Sequence, residues 1–361
     1  MTRTLTTPYI EWAKLQSCAR YTLATSGMAA ASLADIGARL EDIEISGTAA
    51  YGYPPLVERI AAKFGVQPDM VVCEAGTSGA NFLAMAALVS PGDEVIVERP
   101  TYEPLLGVAE FLGARVRRFD RRTEAGFAVE VDRLAALLTS NTRLIVLANL
   151  HNPSSALIDP STLERVGEVA ARVGARVLVD EVYLDAVFDA PQSSAVHLGP
   201  AFLTTGSLTK VYGLSGLRCG WILAEPALAH RMWRLNDLHG SIAAHPAERL
   251  SVLAFDRLPA LLARARARLD ENRRAAAAFF ATRPDLALAV PPYGTTLAPR
   301  WRGDVASLCS VLRERYDTTV VPGHFFELPD HLRIGLGGDP AELAEGLRRL
   351  GLALDDLGPG R

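Results

Sequence analysis

The stretch Gly206-Ser-Leu-Thr-Lys210-Val-Tyr-Gly-Leu-Ser-Gly-Leu-Arg218 decides how this chain is interpreted, because it places a lysine at the end of an apolar run and among small residues. Lysine is scarce elsewhere: of 37 basic residues, only Lys14, Lys63 and Lys210 are lysines. Lys14 and Lys63 lie in polar, helix-like segments that are typical of surface charges. A partly buried site lowers the pKa of an amine, and an unprotonated amine attacks a carbonyl carbon. Lys210 is therefore the candidate electrophile-binding lysine.

Arg218 follows in the same stretch and supplies a permanent positive charge. Its forked guanidinium suits the geometry of a phosphate group. A lysine for an aldehyde and an arginine for a phosphate together indicate a site for pyridoxal 5′-phosphate. A buried structural loop is the alternative interpretation of the same residues.

Length and composition describe a globular protein with no sign of a nucleic-acid partner. A chain of 361 residues predicts two domains, or one large domain with an appendage. Hydrophobic residues make up 49% and charged residues 22%, and the formal net charge of -4 does not favour nucleic acid or anionic membranes. The four cysteines show no C-x-x-C spacing, which argues against a zinc site or a disulfide framework. With no signal-peptide pattern and no run of roughly 18 apolar residues, we expect a cytoplasmic protein.

Strand-like and helix-like segments alternate through the middle of the chain. Short β-branched runs predict strands at 70–73, 94–98, 114–119, 144–148, 176–179, 201–205 and 220–224. Helix-length segments lie between many of them, at 79–89, 105–112, 131–138 and 161–173. This alternation predicts a mostly parallel sheet covered on both faces, in which ligands bind at the carboxyl ends of the strands.

The two ends of the chain follow other patterns. Residues 226–280 are rich in Ala, Leu and Arg and predict helices with a break near 240–246. Short strands and a final helix near 340–350 follow from residue 286 onward. Residues 1–48 are irregular and partly helical, and we expect them to pack with the C-terminal part rather than with the sheet.

Two segments that follow strands supply groups suited to such a cofactor. Gly76-Thr77-Ser78 opens a helix, and backbone N–H groups at a helix N-terminus with nearby hydroxyls bind phosphate. Asp180 ends another strand, where a buried carboxylate would keep a pyridine nitrogen protonated and make the ring an electron sink. A plain turn and a helix N-cap are the alternative interpretations of these two segments.

Three more side chains near strand ends are candidate cofactor contacts. Tyr183 and the amide of Asn152 are placed to hydrogen-bond a phenolate oxygen, and Tyr102 offers an aromatic face to the ring. Each also has a structural interpretation, since Asn-Pro is a turn pair and a tyrosine can simply pack. Glu181 should point to the other side of its strand, and His151 is a weaker candidate than its neighbour Asn152.

Taken together, these segments resemble the class I/II aminotransferase family, the fold-type-I enzymes that use pyridoxal phosphate. The resemblance runs from residue 51 to 333 and rests most firmly on Ser207-x-x-Lys210 with Gly216-Leu217-Arg218. Further motifs in family order are Tyr51-Gly-Tyr-Pro-Pro-Leu, Gly76-Thr-Ser, Pro100-Thr-Tyr, Asn152-Pro, Asp180-Glu-Val-Tyr183 and Leu332-Arg333-Ile-Gly.

The resemblance implies an α/β fold with two domains. The large domain would carry a mostly parallel seven-stranded sheet between helices, and the small domain would be α+β. We expect residues 49–282 to form the large domain and 283–361 the small one, with 1–48 packed against the small domain.

The resemblance also implies roles for individual residues. Lys210 would form the Schiff base and move the proton at the substrate α-carbon, and Asp180 and Tyr183 would be the other catalytic residues. Arg333 would bind the substrate carboxylate, beside Gly27 and Asn152. The implied cofactor-binding residues are Gly76, Thr77, Ser78, Tyr102, Asn152, Asp180, Tyr183, Ser207, Lys210, Arg218 and Tyr51. Tyr51 would reach the phosphate of the neighbouring subunit, which implies a two-fold homodimer with shared active sites, and no metal is expected.

Three segments depart from the family pattern. Asn152-Pro153-Ser154-Ser155 stands where the family often has Asn-Pro-Thr-Gly. Met-Ala-Ala at 28–30 replaces the common Glu/Asn-Pro after Gly27, and residues 291–296 differ from the usual Gly-Gly-x-Phe. These changes leave cofactor binding intact and bear on which substrate side chain is accepted.

The reaction expected from the resemblance is transfer of an amino group between an L-amino acid and a 2-oxo acid. The alternatives on the same fold are a β-eliminating C–S lyase, or a decarboxylase or oxidase of a biosynthetic pathway, since the cofactor supports each. A ligand-sensing regulator domain is a third interpretation, but residues 1–48 are too short and not basic enough for a winged-helix domain. The sequence leaves the substrates open: no second arginine is clearly placed to select a dicarboxylate, although Arg300 is a candidate.

Overall fold

A computed structural model describes residues 6–48, 50–288 and 290–358 of the chain. The strands are β1 (Tyr21–Thr22), β2 (Val71–Ala75), β3 (Glu94–Arg99), β4 (Arg115–Asp120), β5 (Thr142–Ala148), β6 (Arg176–Asp180), β7 (Phe202–Ser207), β8 (Cys219–Leu223), β9 (Leu286–Ala287), β10 (Thr296–Leu297), β11 (Arg300–Trp301), β12 (Thr318–Thr319), β13 (Val321–Pro322) and β14 (Leu332–Gly335). The α-helices are α1 (Pro8–Leu15), α2 (Pro54–Phe64), α3 (Gly76–Leu88), α4 (Glu103–Phe111), α5 (Val131–Ala135), α6 (Pro160–Ala171), α7 (Pro226–Asn236), α8 (His245–Asp256), α9 (Leu258–Ala281), α10 (Val305–Tyr316) and α11 (Pro340–Leu357).

The central feature is a seven-stranded sheet in the order β2-β8-β7-β6-β5-β3-β4. Strand β8 runs antiparallel to both of its neighbours, and the other pairs are parallel. Each strand predicted from a β-branched run is present in this sheet, with ends displaced by at most two residues. The mostly parallel seven-stranded α/β architecture is therefore confirmed.

Strands in the middle of the sheet are buried on both faces. Val95 and Val97 belong to one hydrophobic core, whereas Ile96 between them packs into the core on the opposite face. Side chains alternate along a strand, so a continuous apolar run supplies both cores at once. The second core includes Leu163 and Val166 of α6, which covers that face.

The helices differ from expectation mainly at their ends. Helix α6 starts where Asp159 accepts a hydrogen bond from the backbone of Thr162, with Pro160 in its first turn. Helix α3 begins three residues earlier than predicted, directly after β2, and α5 stops at Ala135 rather than 138. The predicted break near 240–246 is confirmed, because α7 and α8 are separated by residues 237–244.

The N-terminal segment runs between the C-terminal strands and the main sheet. Strand β1 pairs with β12. The backbone N–H of Leu23 donates to the carbonyl of Thr319, and the carbonyl of Leu23 accepts from the N–H of Gly335. Further on, the backbone N–H of Met28 donates to the carbonyl of Lys210 at 2.9 Å. This route brings residues 23–28 over the edge of the sheet at which the strands β3, β5, β6 and β7 end. The domain boundaries at 48 and 282 remain a prediction. Within the described residues, no helix has the length and apolar character needed to cross a membrane.

Candidate active site

A cavity of about 200 Å³ opens at the carboxyl ends of the parallel strands. It gathers eight of the predicted site residues: Thr77, Ser78, Tyr102, Asn152, Asp180, Tyr183, Lys210 and Arg218. Tyr102, Asn152, Asp180, Tyr183 and Lys210 lie at or after the ends of β3, β5, β6 and β7. Thr77 and Ser78 lie at the start of α3, and Arg218 directly precedes the antiparallel strand β8, so the topology of the sheet brings the eight residues to one edge.

Lys210 is partly buried in the wall of this cavity, in the loop after β7. Its Nζ donates a hydrogen bond to Ser26 Oγ at 3.1 Å. Burial lowers the pKa of the amine below its ordinary value, and the nearby positive charge of Arg333 lowers it further. A lowered pKa raises the fraction of neutral, nucleophilic amine at neutral pH.

Asp180 lies at the end of β6 with 5% of its surface exposed. Its Oδ2 accepts from the Asn81 amide at 2.8 Å, and its Oδ1 accepts from the backbone N–H of Val182 at 3.1 Å. Burial raises the pKa of Asp180 to about 6, while these two bonds oppose the rise. The interpretation of Asp180 as the N-cap of an α-helix is wrong, because residues 184–186 form only one 3-10 turn.

Two residues behind Asp180 were not singled out from the sequence. Thr205 Oγ1 donates to Asn81 Oδ1 at 2.6 Å, which turns the amide nitrogen of Asn81 toward Asp180. Thr205 also pairs with Asp180 in the register of β6 and β7. In the sequence, only the position of Asn81, about one turn into the helix that begins at Gly76, indicated that it lies near the site.

The start of α3 forms one end of the cavity. Gly76 has φ of +71°, and a Cβ added there would lie 2.4 Å from Arg218 Nη2, so the position requires glycine. Thr77 Oγ1 donates to Ser207 Oγ at 2.8 Å, and Ser207 in turn contacts Thr209 Oγ1 at 2.6 Å. The N-cap residue of α3 is an alanine that makes no side-chain capping bond. Backbone donors, hydroxyls and one guanidinium thus converge where a phosphate group fits.

The tyrosines line the remaining walls. Burial raises the pKa of Tyr183 to about 12, and its hydroxyl donates to Ser26 Oγ at 2.8 Å. Burial also raises the pKa of Tyr102 well above its ordinary value. Both phenols therefore stay protonated and can donate hydrogen bonds at neutral pH.

Arg333 lies on β14 with 1% of its surface exposed. One guanidinium nitrogen donates to the carbonyl of Ala24, another lies 3.5 Å from Asn152 Oδ1, and Nε has no partner among the described residues. The guanidinium carbon lies 5.5 and 5.2 Å from the ring centroids of Tyr9 and Phe326, and these two rings pack against each other. A buried cation with a free donor is suited to an anionic ligand such as a carboxylate.

Several residues lie away from this cavity in their own chain. Tyr51 is 42% exposed and its hydroxyl lies 3.5 Å from an Asp237 oxygen. Glu181 accepts from the backbone of Ala195, on the side of the strand opposite to Asp180. His151 is buried between Pro100 O and Ser154 Oγ. Arg300 forms an exposed ion pair with Asp330, so it is not placed to bind a second substrate carboxylate.

The segments that depart from the family pattern contact one another. Ser155, where the family often has glycine, adopts φ of 60°, and its hydroxyl donates to the carbonyl of Thr296 at 2.9 Å. A Cβ added to Gly294 would lie 2.3 Å from Ser155 Oγ. Thr295 Oγ1 donates to the carbonyl of Ser26 at 2.8 Å, which joins the same region to the N-terminal segment. The departures therefore contact one another, and Thr295 connects them to the segment that packs on Lys210.

The cavity fits pyridoxal phosphate on its own geometry. A phosphate site with a required glycine lies at one end, a buried carboxylate faces the cavity from β6, and an amine of lowered pKa stands between them.

Comparison with known proteins agrees with this geometry. The family model for aminotransferase class I and II matches residues 29–350. The chain therefore belongs to this family, and it is a pyridoxal-phosphate-dependent enzyme.

Individual relatives span most of the chain. It is 34% identical to capreomycidine synthase of Streptomyces vinaceus over 307 residues, which are 84% of this chain and 79% of the relative. It is 31% identical to the arginine–pyruvate transaminase AruH of Pseudomonas aeruginosa over 312 residues, covering 81% and 76%. A pyridoxal-phosphate-dependent aminotransferase from Streptococcus suis has a similar structure, with a TM-score of 0.93, 26% identity and 99% of each chain covered.

Proposed function

We propose that this protein is an aminotransferase that moves an amino group between an L-amino acid and a 2-oxo acid. The observation that carries the proposal is the convergence of Lys210, Asp180 and Arg333 on one region at the carboxyl edge of the sheet. The similarity to a transaminase named for arginine and pyruvate supports the same reaction type.

Each residue has a distinct task in this proposal. When bound, pyridoxal phosphate supplies an aldehyde that captures amines and a ring that withdraws electrons. Lys210 Nζ holds the cofactor and then accepts and returns the proton of the substrate α-carbon. Asp180, whose two hydrogen bonds oppose the rise in its pKa on burial, would stabilise positive charge on the ring nitrogen. Tyr183 and Asn152 donate to the phenolate oxygen, and Tyr102 covers the ring.

The substrate end is built around Arg333. Its burial against the rings of Tyr9 and Phe326 leaves the guanidinium fork ready for the α-carboxylate, so little ordering remains when the substrate binds. Gly27 lies against Lys210, where an added Cβ would be 3.5 Å from the lysine Cα, and its backbone borders the same space. The phosphate is held by Gly76, Thr77, Ser78, Ser207 and Arg218 at the opposite end.

We also propose that two copies form a dimer through the surface beside Arg218. A second cavity of about 410 Å³ adjoins Arg218 and is lined by Gly52 and Ile242. Leu238 and Ile242 beside it are 85% and 58% exposed, which is unusual for large apolar side chains. Since Tyr51 lies next to this cavity and not in its own active site, it is placed to reach the phosphate of a second copy.

A second candidate function is a lyase- or synthase-type reaction on the same cofactor. The similarity to capreomycidine synthase motivates it, because that relative is named as a synthase and not as a transaminase. The altered residues Ser155, Gly294 and Thr295 support it as well, since Thr295 bonds to Ser26 in the segment that packs on Lys210.

One experiment separates the two candidates. The purified yellow holoenzyme is mixed with single amino acids, arginine among them, in the absence of any 2-oxo acid. An aminotransferase converts its cofactor to pyridoxamine phosphate and releases one 2-oxo acid per site. Continued release of ammonia, a thiol or carbon dioxide without an acceptor contradicts transamination and supports the second candidate. Lys210→Ala is the inactive control for both.

A further inference from the structure

Ser26 is a buried hydroxyl at the reactive amine that sequence motifs did not identify. It is 6% exposed, and its Oγ accepts hydrogen bonds from Lys210 Nζ at 3.1 Å and from the Tyr183 hydroxyl at 2.8 Å. A serine oxygen has two acceptor lone pairs, and these bonds use both. One atom therefore joins the amine to the phenol on the opposite side of the cavity.

Its position is fixed by the segment that surrounds Lys210. The Ser26 carbonyl accepts from Thr295 Oγ1 at 2.8 Å, Gly27 packs against the lysine, and the Met28 N–H donates to the Lys210 carbonyl at 2.9 Å. Three successive residues thus contact the lysine or its support. Because the segment comes from the N-terminal part of the chain, the hydroxyl is delivered to the amine by tertiary structure alone.

The direction of the Lys210–Ser26 bond has a chemical consequence. When a neutral amine donates one N–H to Ser26 Oγ, its lone pair points away from that oxygen. The lone pair is the orbital that must receive the proton of the substrate α-carbon. In that step the α-carbon–hydrogen bond breaks, a new N–H bond forms at Nζ, and the electron pair stays with the substrate and the bound cofactor.

We propose that Ser26 is a positioning residue that orients the freed amine of Lys210 for proton transfer at the substrate α-carbon. The proposal rests on the part of the proposed function that gives Lys210 the role of proton carrier. It does not depend on whether the proton transfer leads to transamination or to another product.

A purely structural role would produce different effects. Ser26 as a filler of space would matter for folding and cofactor retention, not for the rate of one chemical step. Ser26→Ala removes one oxygen and leaves the backbone contacts of residues 26–28 in place. The exposed neighbour Thr25 gives a matched control, because Thr25→Ala also removes a hydroxyl from the same segment.

The first readout is exchange of the substrate α-hydrogen with deuterated water by the holoenzyme, measured by mass spectrometry. Ser26→Ala is expected to slow the exchange on the order of tenfold to a hundredfold, since loss of orientation of a reacting group has effects of this size. Its affinity for the cofactor should stay within about twofold, by the same reasoning. Thr25→Ala should exchange at the wild-type rate, and Ser26→Thr, which retains the oxygen, should recover part of the loss.

The second readout uses the apoenzyme and needs no activity. Pyridoxal phosphate and a mild reductant are added across a pH series, and capture of Lys210 is followed by peptide mass. An acceptor at Ser26 favours the charged amine. Its removal should therefore shift the capture midpoint to lower pH, while Thr25→Ala leaves it unchanged. This readout tests the contact even when no amino acid substrate is known.

The outcomes are separable from those of the proposed function. If wild-type enzyme exchanges no α-hydrogen from any amino acid tested, the proposed function fails. The pH midpoint of capture then tests by itself whether Ser26 bonds to Lys210. If wild-type enzyme exchanges and Ser26→Ala does so equally fast, the inference about Ser26 is overturned whatever the midpoint does. If Ser26→Ala loses cofactor affinity by as large a factor as it loses exchange, its role is structural and the inference about Ser26 is also overturned. Slow exchange by Ser26→Ala with normal cofactor affinity supports the inference.

Discussion

Replacing Arg333 by lysine should weaken recognition of the substrate carboxylate while leaving the cofactor in place. Arg333 is 1% exposed and its guanidinium lies against Tyr9 and Phe326, with Nε free of partners among the described residues. A lysine keeps the positive charge but offers a single point of contact in place of a planar fork. The substitution therefore isolates the second bond of a bidentate pair from the charge itself.

The magnitude follows from the loss of one hydrogen bond to a charged group. Such a bond contributes about 1.5 to 3 kcal/mol. At about 1.4 kcal/mol for each tenfold change, kcat/KM should fall about 10- to 150-fold. The effect should be confined to substrates that carry the α-carboxylate, because the rest of the cavity is unchanged.

The assay compares an L-amino acid with the corresponding amine that lacks the carboxylate, using the half-reaction followed by cofactor absorbance. Wild-type enzyme should prefer the amino acid, and Arg333→Lys should lose most of this preference while reacting with the amine at a similar rate. Arg300→Lys is the matched control, since Arg300 is exposed and paired with Asp330. Equal losses for the amino acid and the amine would refute the assignment of Arg333 as the carboxylate ligand.

The remaining predictions concern the carboxylate and the dimer. In the apoenzyme, burial raises the pKa of Asp180 from 3.8 to about 6, so the folded state loses stability as pH rises through this interval. Asp180→Asn should therefore become more stable than wild type by up to about 3 kcal/mol near neutral pH and show little gain below about pH 4, and denaturant unfolding at the two pH values checks this. Thr205→Val should free the Asn81 amide to rotate, raise the pKa of Asp180 and move the acid limb of the kcat profile upward; an unmoved limb contradicts the link. Mixed subunits of Tyr51→Ala and Lys210→Ala should regain activity that neither has alone, because one site of the hybrid dimer is intact; no recovery would mean that sites are not shared.

The sheet was predictable because its strands are continuous apolar runs. Strands β3, β5 and β6 are buried on both faces, and each contains a run of Val, Ile or Leu residues. Polar residues directly after such strands must meet at one edge of a parallel sheet. For this reason Asp180, Asn152 and Lys210 could be placed together before the fold was known.

The contacts that support Lys210, Arg333 and Asp180 could not be predicted, because they depend on distant parts of the chain. Ser26 lies in an irregular segment, and the bond from Lys210 to Ser26 spans 184 residues. Such segments carry no periodicity that reports their neighbours. Asn81 belongs to a regular helix, but only the register of β6 with β7 shows that it lies between Thr205 and Asp180.

Two residues show how the surroundings decide what a local pattern leaves open. Asp180 starts no α-helix, because the chain turns back after β6 and its carboxylate accepts from Val182 instead. Ser155 occupies a backbone conformation that glycine adopts more easily, and its hydroxyl bonds to Thr296 in return. Local sequence shows that a residue is unusual, whereas the contacts show what compensates for it.

The most direct test of the account is to find where pyridoxal phosphate is attached. Reduction of the holoenzyme with borohydride fixes the cofactor to its lysine, and peptide mass spectrometry identifies the site. The chain has only three lysines, so the assignment is unambiguous. The account predicts one cofactor per chain, on the peptide that contains Lys210. Attachment at Lys14 or Lys63, or the absence of any reducible adduct, would contradict it.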